Sequence, residues 1–196
     1  MSKKNKKIQT NTQIITIPKG SLVMTCAAPN SGKTTLSKRL FSNMDDVVLI
    51  CSDDLFCKNV ENASVFATYK SLMEKTTKTV TEMVKDGASK GKTVVIDATS
   101  HFVEDRLAMI DAFKHLFKNI VLIVIDLDIP DLISHGVKPQ SPIMKRFDMY
   151  APEMDNTILI ALLIKTQFQN RDIYKGVNTV YRVSSQTLNT CQAEIK

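Results

Sequence analysis

The chain alternates between two hydrophobic patterns. Apolar runs rich in Val and Ile stand at Ile14–Ile17, Ser21–Cys26, Val47–Cys51, Thr93–Ile96 and Ile120–Leu127, with a weaker one at Val177–Val183. Such continuous runs suit strands buried on both faces of a parallel sheet. The first two are separated by Pro18-Lys19-Gly20, a turn signal. Between the later runs, apolar residues recur at helical spacing. Leu36, Leu40 and Met44 form one stripe, and Met109, Ile110, Phe113, Leu116 and Phe117 another. A long stripe runs through Val65, Tyr69, Leu72, Met73, Thr76, Val80, Met83 and Val84, and predicts a helix ending near Gly87. Stripes of this kind are core faces. Strands alternating with helices predict an α/β fold, with a central, mainly parallel sheet covered by helices on both faces. Ser134 to Pro152 breaks the rhythm, with Gly136, Pro139, Pro142 and Pro152 around the short segment Ile143–Tyr150. This predicts a loop carrying one small helix, either a lid over about 134–152 or an ordinary surface excursion.

Composition narrows the class. The chain has 196 residues, the size of one domain with or without a tail. The apolar share is 43% and the charged share 23%, near a soluble globular average. Thr157 to Ile164 is the longest uncharged apolar run and is too short to span a bilayer. Met1–Lys7 leads into Ile8-Gln9-Thr10-Asn11-Thr12-Gln13, so no secretory leader is expected. Cys26, Cys51, Cys57 and Cys191 form neither a CxxC nor a zinc spacing, which points to a reducing, cytoplasmic setting. The net charge is +6; subtracting Lys3, Lys4, Lys6 and Lys7 leaves +2. A basic disordered tail over 1–11 and a single domain over 12–196 are therefore expected, the body weakly suited to an anionic partner.

Candidate chemistry begins after the second run. Ala27-Ala28-Pro29-Asn30-Ser31-Gly32-Lys33-Thr34 follows a strand and precedes a helix, the setting of a GxxxxGK[ST] phosphate-binding loop. Ala27 stands where the motif has its first glycine, which a negative φ permits. Asn30, Ser31, Gly32, Lys33, Thr34 and Thr35 then form the cradle of a nucleotide, with N–H groups aimed at anionic oxygens from a helix N-terminus. Lys33 is expected to reach the β- and γ-phosphates, and Thr34 to bind Mg²⁺. Asp97 closes the run Val94-Val95-Ile96, where a carboxylate either holds a Mg²⁺-bound water or orients a basic group near the γ-phosphate. Neither a DxxG switch nor an NKxD motif is present, which argues against a regulatory GTPase. Ser52-Asp53-Asp54 directly follows Val47–Cys51, on the strand edge where ligands bind. One of these carboxylates is expected to cap the following helix, and the other to take the proton of an attacking hydroxyl. His101, His115 and His135 do not cluster and are assigned surface or cap roles.

Taken together, these residues resemble the P-loop 5′-hydroxyl polynucleotide kinases and related small P-loop kinases, over roughly Leu22 to Tyr150. The elements carrying the resemblance are the P-loop, Ser52-Asp53-Asp54, Asp97-Ala98-Thr99 and Arg106 in the next helix. The resemblance implies a P-loop kinase-like three-layer α/β/α fold with a small helical lid. It implies an ATP- and Mg²⁺-dependent kinase whose substrate is a DNA or RNA 5′-hydroxyl end. By position it makes Asp53 the general base, Lys33 a catalytic phosphate contact and Thr34 a metal residue, has Asp97, also a metal candidate, organise the γ-phosphate site and the lid cation, and makes Arg106 a phosphate contact or a salt-bridge partner. In the lid it aligns Met144-Lys145-Arg146-Phe147 with the family segment whose cations close over the transferring group. Only one of Lys145 and Arg146 can face it, because neighbours on a helix diverge by about 100°. Leu55-Phe56-Cys57-Lys58 stands where the family has an acceptor-side arginine, a place that Lys58 or Arg39 would have to fill. Polynucleotide kinases are often joined to a phosphatase or ligase, so such an end-healing partner is expected on a separate chain. Two alternatives share the donor residues: a small-metabolite or nucleoside kinase, and a nucleotide-binding module that transfers nothing.

Overall fold

The computed structural model describes residues 12–64, 66–98, 100, 102–135, 154–167 and 176–196. Their order is β1 (Ile14–Ile17), β2 (Leu22–Ala27), α1 (Lys33–Phe41), β3 (Val47–Cys51), α2 (Ser52–Glu61), α3 (Tyr69–Ser89), β4 (Thr93–Asp97), α4 (Val103–Phe113), β5 (Ile120–Asp126), α5 (Ile129–Ser134), α6 (Met154–Gln167), β6 (Thr179–Ser184) and β7 (Gln192–Ile195).

Five strands form one sheet in the order β3-β4-β2-β5-β6, and each neighbouring pair is parallel. β2 and β4 are buried at every position, as strands covered on both faces must be. The connection β2→β3 runs across the sheet in the direction opposite to β3→β4, β4→β5 and β5→β6. Right-handed crossovers therefore place α1 on one face, and α3, α4 and α6 on the other. Both α1 and α3 pack on β3 and β4, which two helices on opposite faces can do. The layers are thus helix, sheet, helix, as the apolar runs predict. Close approach shapes the α3 layer. A Cβ at Gly87 would lie 2.7 Å from Val94 Cγ2 and 3.3 Å from Val48 Cγ2, so the missing side chain lets the helix, which runs on to Ser89, pack this closely on β3 and β4.

The structure departs from the sequence pattern at several places. α3 begins at Tyr69 rather than Val65, because Thr68 and Ser71 close a reciprocal capping box with both bonds at 3.2 Å. β1 and β2 do not pair across their turn. β1 instead lies parallel to β7, from Ile14 opposite Gln192 to Ile17 opposite Ile195. Tyr181 Oη of β6 donates to the Thr16 carbonyl at 2.6 Å and ties this ribbon to the main sheet.

Because the main sheet is parallel, Ala27, Cys51, Asp97 and Asp126 all end their strands on one edge. Of the stretch 134–152, only Ser134 and His135 are described. Lys145, Arg146 and the tail 1–11 lie outside the described residues. Among the described residues, no helix is long and apolar enough to cross a membrane.

Candidate functional site

The site grows from the turn between β2 and α1. Ala27 ends β2 opposite Ile125 as an ordinary strand residue, so the loop does not need a glycine there. The chain then turns through Asn30 (φ 60°) and Gly32 (φ 82°), both left-handed. Asn tolerates that region, and Gly enters it without a Cβ penalty. Gly32 is the N-cap of α1 and supplies no capping side chain, and the first turn carries no acidic residue. The leading N–H groups of α1 therefore face the loop with the positive end of the helix dipole behind them. Ser31 Oγ is buried there and has no hydrogen-bond partner among the described residues.

Lys33 is buried at the start of α1, and its Nζ lies 2.6 Å from Asp97 Oδ1. It also lies 3.5 Å from the Thr34 hydroxyl. Asp97 ends β4 and is 1% exposed. The Thr25 hydroxyl, in β2, sits 3.3 Å from Asp97 Oδ1 and 3.1 Å from the Ala98 carbonyl. One carboxylate oxygen of Asp97 thus holds the P-loop lysine. Its second oxygen, Oδ2, is buried with no hydrogen-bond partner among the described residues. A hydroxyl and a carboxylate oxygen on either side of a buried ammonium form a hard oxygen set, which suits hydrated Mg²⁺. The bare N–H groups of the loop suit phosphate. The residues therefore fit both groups.

Asp53 and Asp54 fall in the first turn of α2 and are exposed. The expectation that one of them caps the helix is not met: the N-cap is Cys51, and no side chain makes a cap hydrogen bond. Asp54 instead pairs with Lys38 of α1 at 2.7 Å, an exposed contact that raises the lysine pKa. Asp53 makes no side-chain hydrogen bond or salt bridge to the described residues and is left as the available carboxylate at this edge. Between Asp97 and Asp54 stands Cys51. Burial first, and then the two carboxylates, push its thiol up to about 11. It stays protonated at neutral pH and offers no nucleophile.

Arg106 is 2% exposed and turned inward. Its guanidinium donates to the Ser100 carbonyl at 2.7 Å and reaches Cys26 Sγ at 3.5 Å. These contacts clasp the chain just beyond Asp97, at Ser100 with its φ of 40°. Arg39 does not turn toward the acceptor side either. It donates to the Leu188 carbonyl at 2.5 Å and to Cys191 Sγ at 3.3 Å, fixing the chain after β6 against α1. Lys58 remains exposed on α2.

The sequence pattern missed a cavity of about 330 Å³ beside the P-loop, lined by Asn30, Thr35, Arg39, His135, Leu188 and Asn189 among others. His135 caps the end of α5, and its Nδ1 lies 3.3 Å from the Asn30 carbonyl. No sequence signal places His135, Leu188 and Asn189 beside the loop. The order β2-β5-β6 in the sheet brings the segments after β5 and β6 next to the P-loop.

The site therefore combines a P-loop, a buried lysine–carboxylate pair and a lone carboxylate at the carboxyl edge of a parallel sheet. The family model for the AAA domain matches residues 22–134, more than half of the chain, and the chain belongs to that family. No curated protein matches the sequence. Among solved structures, the chain is similar to one in the Pnkp1/Rnl/Hen1 RNA repair complex, with TM-score 0.58, 19% identity, and coverage of 79% of this chain and 46% of that one. A candidate kinase from Chloroflexus aurantiacus matches with TM-score 0.52 and 13% identity over 85% of each chain. A structure of the PezAT toxin–antitoxin system of Streptococcus pneumoniae matches with TM-score 0.55 and 12% identity, over 87% of this chain and 70% of that one. The fold is that of a P-loop kinase. The chain spans less than half of the RNA-repair chain it matches.

Proposed function

We propose that the chain is an ATP- and Mg²⁺-dependent phosphotransferase acting on the 5′-hydroxyl end of DNA or RNA. The observation carrying this reading is the division of labour between two carboxylates at one sheet edge. Asp97 is buried and committed to Lys33, whereas Asp53 is exposed and uncommitted. A nucleotide-binding module needs only the first, and a transferase needs both. The likeness in fold to an RNA-repair chain supports a polynucleotide acceptor.

The donor phosphates would rest on the N–H groups at Asn30 to Thr35, with the nucleoside in the cavity floored by Leu188 and Asn189. Thr34 and Asp97 Oδ2 would hold Mg²⁺, which when bound supplies charge neutralisation at the phosphates. Lys33, kept in place by Asp97, stabilises charge on the group in transfer. Asp53 accepts the proton of the acceptor hydroxyl as its oxygen attacks, a contribution of about 10²–10⁴ in rate. Arg146 or Lys145 is assigned the closing cation on sequence grounds. An end-healing phosphatase or ligase would complete the repair.

The test is transfer of labelled γ-phosphate from ATP to 5′-hydroxyl single-stranded DNA and RNA, with nucleosides and small hydroxyl metabolites as parallel acceptors. Transfer to the oligomers, abolished in Asp53→Ala, is the expected result. Transfer confined to the small acceptors would replace the polynucleotide with a metabolite. ATP binding without transfer to any acceptor would leave a binding module.

A further inference from the structure

Asp53 is followed three residues later on α2 by Phe56, one turn along the same helix face. The Phe56 ring meets Tyr69, at the start of α3, edge to face, with centroids 5.5 Å apart and planes at 63°. Phe66 lies in the connection between the two helices and is 89% exposed, and Tyr69 is 43% exposed. The α2–α3 hairpin does not depend on the Phe66 ring for its core. Val60, Leu72 and Thr76 are among its buried residues, and Asn59 Nδ2 donates to Thr76 Oγ1 at 2.9 Å. A phenyl ring almost wholly in water, three residues before the tyrosine of an edge-to-face aromatic pair, is a surface made for contact.

The charge around it selects the contact. Lys58 and Lys70 are exposed on the same two helices, but Asp53 and Glu61 offset them. A balanced surface makes a poor track for a run of phosphates, whose recognition needs dense cations. It suits the flat face of a base, which stacks on aromatic side chains whatever its sequence. We propose that Phe56, Phe66 and Tyr69 form a stacking platform for the terminal nucleobase of the acceptor strand, beside the carboxylate that takes its hydroxyl proton. This rests on the acceptor reading above and sharpens it: the enzyme grips the end by its first base rather than by a long phosphate track.

The test compares two single-stranded 5′-hydroxyl oligomers, one intact and one abasic at its 5′-terminal nucleotide. The wild type is expected to favour the intact oligomer in kcat/KM by roughly 5- to 150-fold, the worth of one base stacked on an aromatic side chain. Phe66→Ala is expected to shrink that ratio several-fold, and Phe66→Trp to retain it. A 2-aminopurine at the 5′ terminus should be quenched on binding to the wild type, and less so with Phe66→Ala. Phe66 is exposed, so its truncation spares the fold, and a matching thermal midpoint verifies this. Equal use of both oligomers by the wild type, or an unchanged ratio in Phe66→Ala, overturns the platform and leaves the kinase. No transfer to either oligomer overturns the acceptor reading, and the platform with it.

Discussion

Asp97 and Lys33 hold each other in a place where neither would be stable alone. Each is buried, and burying a charge without its partner is expensive. Asp97→Asn should therefore destabilise the protein by about 3–5 kcal/mol. Much of that loss should return in the double variant with Lys33→Met, as urea denaturation of the series would measure. Thr25 supports the pair from β2. Thr25→Val keeps the volume but removes the hydroxyl, and should cost about 1–3 kcal/mol of stability together with ATP affinity, whereas Thr25→Ser keeps both. Cys26 gives a pH signature. Burial lifts its thiol pKa to about 11, against a smaller lowering by Arg106. The folded state therefore keeps a proton that the unfolded chain releases near pH 9. That contribution to stability is complete below pH 9 and is lost as pH rises to 11. Thermal midpoints of the wild type should fall more steeply over that window than those of Cys26→Ala.

At the scale of elements, local chemistry decided what could be read beforehand. β2, β4 and β5 announce themselves as uninterrupted apolar runs because both faces of a central parallel strand are buried, and β3 carries a similar run at the sheet edge, where it is half-buried. The P-loop is legible because its glycine, lysine and threonine are fixed by the backbone they must form. β7 was not singled out: Gln192-Ala193-Glu194-Ile195 alternates polar and apolar over only four residues, too short a signal to stand out, and it owes its state to pairing with β1 across the length of the chain. The capping box at Thr68 could have been found, since Thr-x-x-Ser is a weak form of the known signature, but the apolar stripe beginning at Val65 masked it. Gly87 was visible, but its meaning as a contact rather than a stop was not. Gly87→Ala gains about 1 kcal/mol in helix propensity. It also drives a methyl group to 2.7 Å from Val94 Cγ2. Overpacking of about 1–3 kcal/mol should win, and denaturant titration should show net destabilisation.

Across the whole molecule, function follows from sheet order. Strands distant in sequence end on one edge, so Gly32, Asp53 and Asp97 could be grouped from sequence by the rule for parallel sheets alone. The cavity formed with His135, Leu188 and Asn189 could not, because it depends on which strand neighbours which. Arg106 and Arg39 show what residue type leaves open. Arg106 is expected at a phosphate or in a salt bridge and Arg39 at the acceptor side, and among the described residues Arg106 contacts Ser100 while Arg39 contacts Leu188 and Cys191. Side-chain direction is the part of a site that residue type does not reveal. The measurement that tests the account most directly is paired: ATP affinity by calorimetry, and γ-phosphate transfer to a 5′-hydroxyl oligomer, for the wild type and Asp53→Asn. The account predicts unchanged ATP affinity and a rate reduced by about 10²–10⁴. Transfer by Asp53→Asn at the wild-type rate would contradict the assignment of the acceptor base and, with it, the division of labour between Asp53 and Asp97.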